Sequence, residues 1–226
     1  MTFSQSTYHS KTYRRFKEID TGDHRGLARF FEKNERTIRQ LDFPEYFELH
    51  VCYASALFEI GAYERHLQQV DFILESTIAH NIQLFQGEDL FCKTLFQKAA
   101  SHFNLLDYQK AEYLLRELIR INPYYPDADA FLQKTIYQQR PTFVRNTRAV
   151  AIALFLLAAF LIAVEVIFIR NLYPTHTVFM EYLRTAVFIG GLLVLVIGDC
   201  WLRWKIRTKV HSFIQASKTK RRRLRE

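Results

Sequence analysis

Two apolar stretches near the carboxyl end limit what this 226-residue chain can fold into more than any other feature. The first, Ala149 to Ile169, reads AVAIALFLLAAFLIAVEVIFI over 21 residues. At about 1.5 Å per residue it spans the roughly 30 Å hydrocarbon core of a bilayer. The second, Thr185 to Leu202, has 18 residues and spans it only just. A helix that is apolar on every side needs lipid or the core of a large protein around it, and the polar remainder of this chain leaves little core to hide two. The sequence therefore predicts a transmembrane hairpin preceded by a soluble domain.

Charge placement orients the hairpin. Up to Pro141 the chain holds 17 Lys and Arg against 19 Asp and Glu, a balance of −2. From Thr142 onward there are 14 against 4, a balance of +10 out of the +8 total. Arg140, Arg145 and Arg148 precede the first span and Arg203, Lys205, Arg207 and Lys209 follow the second, whereas the connecting loop holds Arg170 and Arg184. The positive-inside rule places both termini in the cytoplasm. Trp201 and Trp204 mark the inner boundary and Tyr173 and Tyr182 the outer loop, where amphipathic rings favour the headgroup level. The amino-terminal segment has no apolar core of signal-peptide length and no small-residue cleavage site, so the first span is expected to act as its own insertion signal. Three scattered cysteines, Cys52, Cys92 and Cys200, without a CxxC pair, fit a reducing compartment. Compactness leans toward a bacterial inner membrane.

The soluble part reads as all-α. Asp42-Phe-Pro-Glu45 opens a helix with an N-cap acid and an early proline. Phe47, Val51, Ala54, Leu57 and Phe58 then recur at helical steps up to the turn at Gly61. A second stripe runs through Leu67, Val70, Ile73, Leu74 and Ile78, and a third from Leu90 through Leu95 and Ala99 to Leu106. A fourth runs from Ala111 through Leu114, Leu115 and Leu118 to Ile121, before Asn122-Pro123, and a fifth covers Asp127 to Gln139. Strand-like alternation is absent.

The helices come in antiparallel pairs, and the run Ala99 to Pro123, AASHFNLLDYQKAEYLLRELIRINP, resembles the tetratricopeptide repeat. In that family small residues of the two helices meet, an aromatic follows the turn and a proline closes the unit; Ala99, Ala111, Tyr108 and Pro123 fill those places. Small residues are needed because helix axes approach to about 8 to 10 Å only where the contact side chains allow it. The preceding pair carries the pattern more weakly, with Ala54 as its small residue and Gly61-Ala-Tyr63 as its turn. His66 stands where the family has a small residue, so a looser crossing is expected there. Equivalent turns at Gly22, Gly61 and Leu106 are 39 and 45 residues apart against the usual 34, which makes the domain a divergent relative. Repeats cannot bury their faces alone, so Arg25 to Leu41, with Leu27, Phe30, Phe31 and Ile38 on one side, is expected to pack as an amino-terminal cap. The boundaries read from sequence are 1–24 for an amino-terminal segment, 25–141 for the helical-repeat domain, 142–204 for the hairpin and 205–226 for a basic tail.

The resemblance implies that the first helices of the pairs line a concave, peptide-binding groove. Val51, Ser55, Phe58 and Glu59 of one pair and Lys93, Phe96, Ala100, Phe103 and Asn104 of the next would face it. The competing reading is that Phe58, Phe96 and Phe103 are core, as aromatics at helical spacing commonly are. Lys93 is too isolated to suggest capture of a terminal carboxylate. No enzyme is expected: the eight histidines show neither HExxH nor a nearby cysteine pair, seven glycines leave no phosphate loop, and Glu88-Asp89 and the acids from Asp127 to Asp129 sit where helices begin. No cofactor or metal is expected either.

Two acids lie inside the spans, where a carboxylate costs about 2.5 to 3.5 kcal/mol. Glu165 and Asp199 differ in depth by roughly 16 Å at 1.5 Å per residue, which excludes a direct pair. Arg170 and Arg203 are close enough to Glu165 and Asp199 respectively for local pairing. Ala159 and Ala163 on the first span and Ala186 and Gly190 on the second are small steps that would let helices approach, within the hairpin or in a homo-oligomer. The basic tail comprises Arg203, Lys205, Arg207, Lys209, Lys218, Lys220, Arg221, Arg222, Arg223 and Arg225. Ile206, Val210, Phe213 and Ile214 recur on one face among them, which fits a helix lying on an anionic inner leaflet. Nucleic acid is the rival partner, disfavoured because no stacking aromatics accompany the last nine residues. Together these features predict a membrane-anchored adaptor or assembly protein that binds a protein or peptide. The alternative is a small subunit of an oligomeric channel or transporter that uses the acids within the spans.

Overall fold

The computed structural model describes the backbone of residues 10–139, 141–164, 167 and 177–223, and the side chains of these except 141–144 and 177–181. Arg140, Glu165, Arg170, Tyr173, His176 and Arg225, with most of the connecting loop, lie outside the described residues. Among the described residues the chain is helical: α1 Lys11–Lys17, α2 His24–Lys33, α3 Glu35–Ile38, α4 Phe43–Glu59, α5 Tyr63–Ala79, α6 Leu90–Asn104, α7 Tyr108–Ile121, α8 Ala128–Gln138, α9 Pro141–Val164 and α10 Thr177–Arg223. It divides into two compact units, Met1–Thr135 with Ser217–Glu226, and Ile136–Ala216.

In the first unit successive helices pack on one another, α2 on α4, α4 on α5, α5 on α6 and α6 on α7. Short polar side chains start several of them by accepting from backbone N–H groups that the helix leaves unpaired. Ser10 accepts from Tyr13 N at 3.1 Å, Asp23 from Gly26 N at 2.8 Å and Asp89 from Cys92 N at 3.0 Å. Asp42 occupies the N-cap of α4 but makes no capping hydrogen bond. Glu45 instead accepts from Ser10 N at 2.8 Å, tying the start of α1 to α4.

One core cluster joins Leu27, Phe31 and Ile38 of the amino-terminal cap to Leu49, Tyr53 and Leu57 of α4. Tyr13 and Phe16 belong to the same cluster, so α1 is an ordered part of the domain. Within it, Phe31 stacks on Tyr53 with ring centroids 4.1 Å apart. A second cluster gathers Phe47, Ala54, Ile73, Ile82 and Leu90. The buried face of α5 runs through His66, Val70, Ile73, Ser76 and Thr77, while Ile78 is 68% exposed, a departure from the apolar stripe read from sequence. Three of those five are polar, which is why hydropathy alone did not place the end of the face. In the next pair Ala99 and Ala111 are fully buried where α6 meets α7.

In the second unit α9 and α10 carry the two apolar windows, Arg145–Val164 with mean hydropathy 2.4 and a window of 2.1 within Tyr182–Arg223. Only 11% of each window is buried, so neither is the hidden core of a soluble protein. Both are long and apolar enough to cross a membrane. Their seam is not the one the small-residue steps predicted. Ala159, Ala163 and Ala186 are exposed and Gly190 has no neighbour beyond its own helix, whereas Ala151 and Ala158 are buried. A methyl added at Gly191 would fall 2.8 Å from Phe155 Cε1, and one at Gly198 would fall 3.1 Å from Thr147 Cγ2. Two pairs of small residues seven apart thus set the close approach, the spacing of two helical turns on one face.

The second span and the tail form one uninterrupted helix of 47 residues. Ile206 and Val210 are buried by protein, at 5% and 1% exposure, and Phe213 and Ile214 are half-buried. Arg203, Lys205, Arg207 and Lys209 are exposed on the same helix.

Candidate functional site

The nine groove residues separate into three groups. Val51 and Ser55 of α4 and Lys93 of α6 line one cavity of about 100 Å³, together with Cys52 and Ala54 of α4 and Thr94 and Gln97 of α6. His66 and Ile73 of α5 and the segment from Phe85 to Leu90 complete the lining. The three aromatics lie elsewhere. Phe58 packs on Tyr63 at 5.9 Å and His66 at 5.3 Å, and Phe96 and Phe103 both pack on Phe131 of α8, at 5.4 and 5.2 Å. Ala100 is 8% exposed on the same helix, while Glu59 and Asn104 are exposed. Phe96 and Phe103 serve packing because Phe131 of α8 lies against the face of α6 that an open concavity would have left bare.

The imidazole of His66, where the sequence pattern led to the expectation of a small residue, lines this cavity. The ring is fully buried, and its Nδ1 lies 2.8 Å from Ser101 Oγ, a hydrogen bond that links α5 to α6. Among the described residues His66 Nε2 has no hydrogen-bond partner. Burial pushes the imidazole down to about 4, so it is neutral at physiological pH. His50 is held down to about 4 by the same cause, among the rings of Phe31, Tyr46 and Phe72. The His66–Ser101 pair escaped the sequence reading, which registered only that a histidine replaced a small residue.

At the cavity rim Lys93 Nζ donates to Glu88 Oε2 at 2.5 Å, an exposed pair of a kind that contributes under about 1 kcal/mol and opens at little cost. Burial raises the thiol pKa of Cys52, and burial together with Asp89 pushes Cys92 up to about 12, so neither is a ready nucleophile. The lining offers hydrogen-bonding groups from Ser55, Thr94, Gln97 and Lys93 beside apolar walls from Val51, Ile73 and Leu90. Such a mixture suits recognition of a small, partly polar group.

Of the two acids within the spans, Asp199 is described. Its Oδ1 accepts from Tyr137 Oη at 2.7 Å and its Oδ2 from Arg203 Nε at 2.8 Å. Arg203 is thus the local partner that the four-residue spacing suggested. Among the described residues no group of three His, Cys, Asp or Glu side chains is placed to hold a metal ion. No family model, curated protein or solved structure matches the chain.

Proposed function

We propose that the chain is a membrane-anchored helical-repeat adaptor or assembly protein that holds a segment of a protein partner on its cytoplasmic domain. The observation that carries this reading is the cavity between the first helices of two successive helix pairs, lined by Val51, Ser55 and Lys93. A cavity of about 100 Å³ suits one short side chain of a bound segment rather than a cofactor. Two helices with only 11% of each apolar window buried support the anchor, with both termini on the cytoplasmic side by the charge asymmetry. The exposed Arg203, Lys205, Arg207 and Lys209 supply attraction to an anionic leaflet.

A photoreactive amino acid at Lys93 tests the reading in cells. It is expected to give one discrete protein adduct, which the cavity-filling change Ser55→Trp abolishes, while the same probe at Lys110 on the exposed side of α7 gives none. Adducts that persist in the filled variant, or that form equally from Lys110, overturn it.

A further inference from the structure

A second cavity lies within the membrane-proximal unit, at the level where both apolar stretches meet their basic flanks. It measures about 250 Å³ and is lined by Tyr137, Thr147, Arg148, Asp199 and Arg203, with Leu195, Gly198 and Leu202 as its apolar side. Arg148 immediately precedes the first apolar stretch and Arg203 immediately follows the second, so the two guanidinium groups share one depth at the inner boundary. Trp201 and Trp204 mark that boundary on the same helix.

The charges in the cavity do not cancel. Asp199 is its one carboxylate, and both oxygens are occupied, by Tyr137 Oη and by Arg203 Nε. That arrangement fixes Arg203, whose guanidinium carbon also lies 5.4 Å from the Tyr137 ring centroid. Arg148 is exposed and, among the described residues, has neither a hydrogen bond nor an ion pair. Two arginines against one acid leave a single positive charge, directed at a space with apolar walls on its membrane side. Guanidinium groups match phosphate oxygens in a planar, two-pronged geometry, and basic pockets between spans on the cytoplasmic side are suited to anionic headgroups.

We propose that this cavity binds the phosphodiester of an anionic glycerophospholipid, with Arg148 as its principal cation and Arg203, held by Asp199 and Tyr137, as the second. The proposal rests on the membrane reading, since the lipid reaches the cavity only from a bilayer in which the hairpin sits. Close approach at Gly198 and Thr147 shapes the site, because a β-carbon at Gly198 would press tightly on Thr147 Cγ2, at 3.1 Å. The cavity volume accommodates a phosphate and its glycerol, and the acyl chains run along the exposed apolar surface of α10.

The test uses the full chain purified in mild detergent, with bound lipid counted by native mass spectrometry. Phosphatidylglycerol is expected to give a one-to-one adduct and phosphatidylcholine, at the same concentration, at least tenfold less. Arg148→Gln is expected to lower phosphatidylglycerol occupancy about tenfold and Arg148→Lys about threefold, because lysine keeps the charge but not the fork. Arg207→Gln removes an equal charge outside the cavity and is expected to stay within twofold of the parent. Equal losses for Arg148→Gln and Arg207→Gln, or equal binding of the two lipids, overturn the proposal. Displacement of the lipid by millimolar glycerol phosphate assigns the site to a soluble phosphate and overturns its lipid source. Extraction of the chain from membranes by alkaline carbonate is a separate readout: it sinks the membrane reading itself, whatever the adducts show.

Discussion

The two helix pairs, α4–α5 and α6–α7, solve the same packing problem in different ways. In α6–α7 Ala99 and Ala111 are both fully buried. In α4–α5 Ala54 and His66 both line the cavity of the candidate site. α6–α7 is thus the tight pair, closed on small apolar residues, and α4–α5 the loose one, with a buried imidazole beside a cavity.

Acid should separate the pairs most strongly. The unfolded imidazoles titrate near 6.5 and the folded ones of His50 and His66 near 4, so the unfolded chain takes up protons first as pH falls. Stability is complete above pH 6.5 and is lost progressively toward pH 4, by about 3 kcal/mol per ring. His102, in the tight pair, is also lowered by burial, but Asp107 at 3.5 Å opposes the shift. Amide hydrogen exchange at pH 4.5 and 7 is expected to show early opening of α4 and α5 while α6 and α7 stay protected. Equal opening of both pairs breaks the comparison.

Overpacking is the next largest effect. Ala111→Leu places three more heavy atoms into a filled crossing and is expected to cost about 1 to 3 kcal/mol in urea denaturation. Ala54→Val, facing the cavity, is expected to cost under about 1 kcal/mol, because its methyl groups enter empty space. A penalty for Ala54→Val as large as that for Ala111→Leu would mean that the cavity is not open in solution.

The turns give the smallest contrast. Gly61 closes the loose pair with φ of 78°, and Leu106 closes the tight one with φ of 64°. Gly61→Ala is expected to destabilise by about 1 kcal/mol, since a β-carbon disfavours that region. Leu106→Gly is expected to gain a few tenths of a kcal/mol, the relief of strain being largely offset by the greater freedom of glycine when unfolded. Midpoints of thermal unfolding in detergent would register both.

Helix existence was legible because long apolar periodicities leave few alternatives, and the two membrane-length stretches were legible from length alone. What escaped was decided by polar residues in apolar places. Tyr13 and Phe16, three apart, bury one face of α1, but the adjacent Arg14 and Arg15 obscured that spacing. The face of α5 was misjudged because His66 and Thr77 are buried there. Ser101 and Ile73 O supply the hydrogen bonds that make this affordable, and neither partner is adjacent in sequence to the residue it satisfies. In the candidate site, Val51, Ser55 and Lys93 were placed together because they share first-helix faces. Phe96 and Phe103 pack on Phe131 of α8, in line with the core reading that periodicity offered beside the groove, but the position of α8 itself depends on contacts that periodicity does not encode. The hairpin seam at Gly191 and Gly198 differs by one residue from the step read at Gly190, and one residue turns a helix by about 100°.

The 47-residue helix α10 is about 70 Å long and has no break between its apolar window and its basic end, where Lys218 Nζ lies 4.8 Å from the Tyr124 ring centroid. A helix of that length without a break is expected to protect its interior amides from hydrogen exchange and to fray only from its basic end.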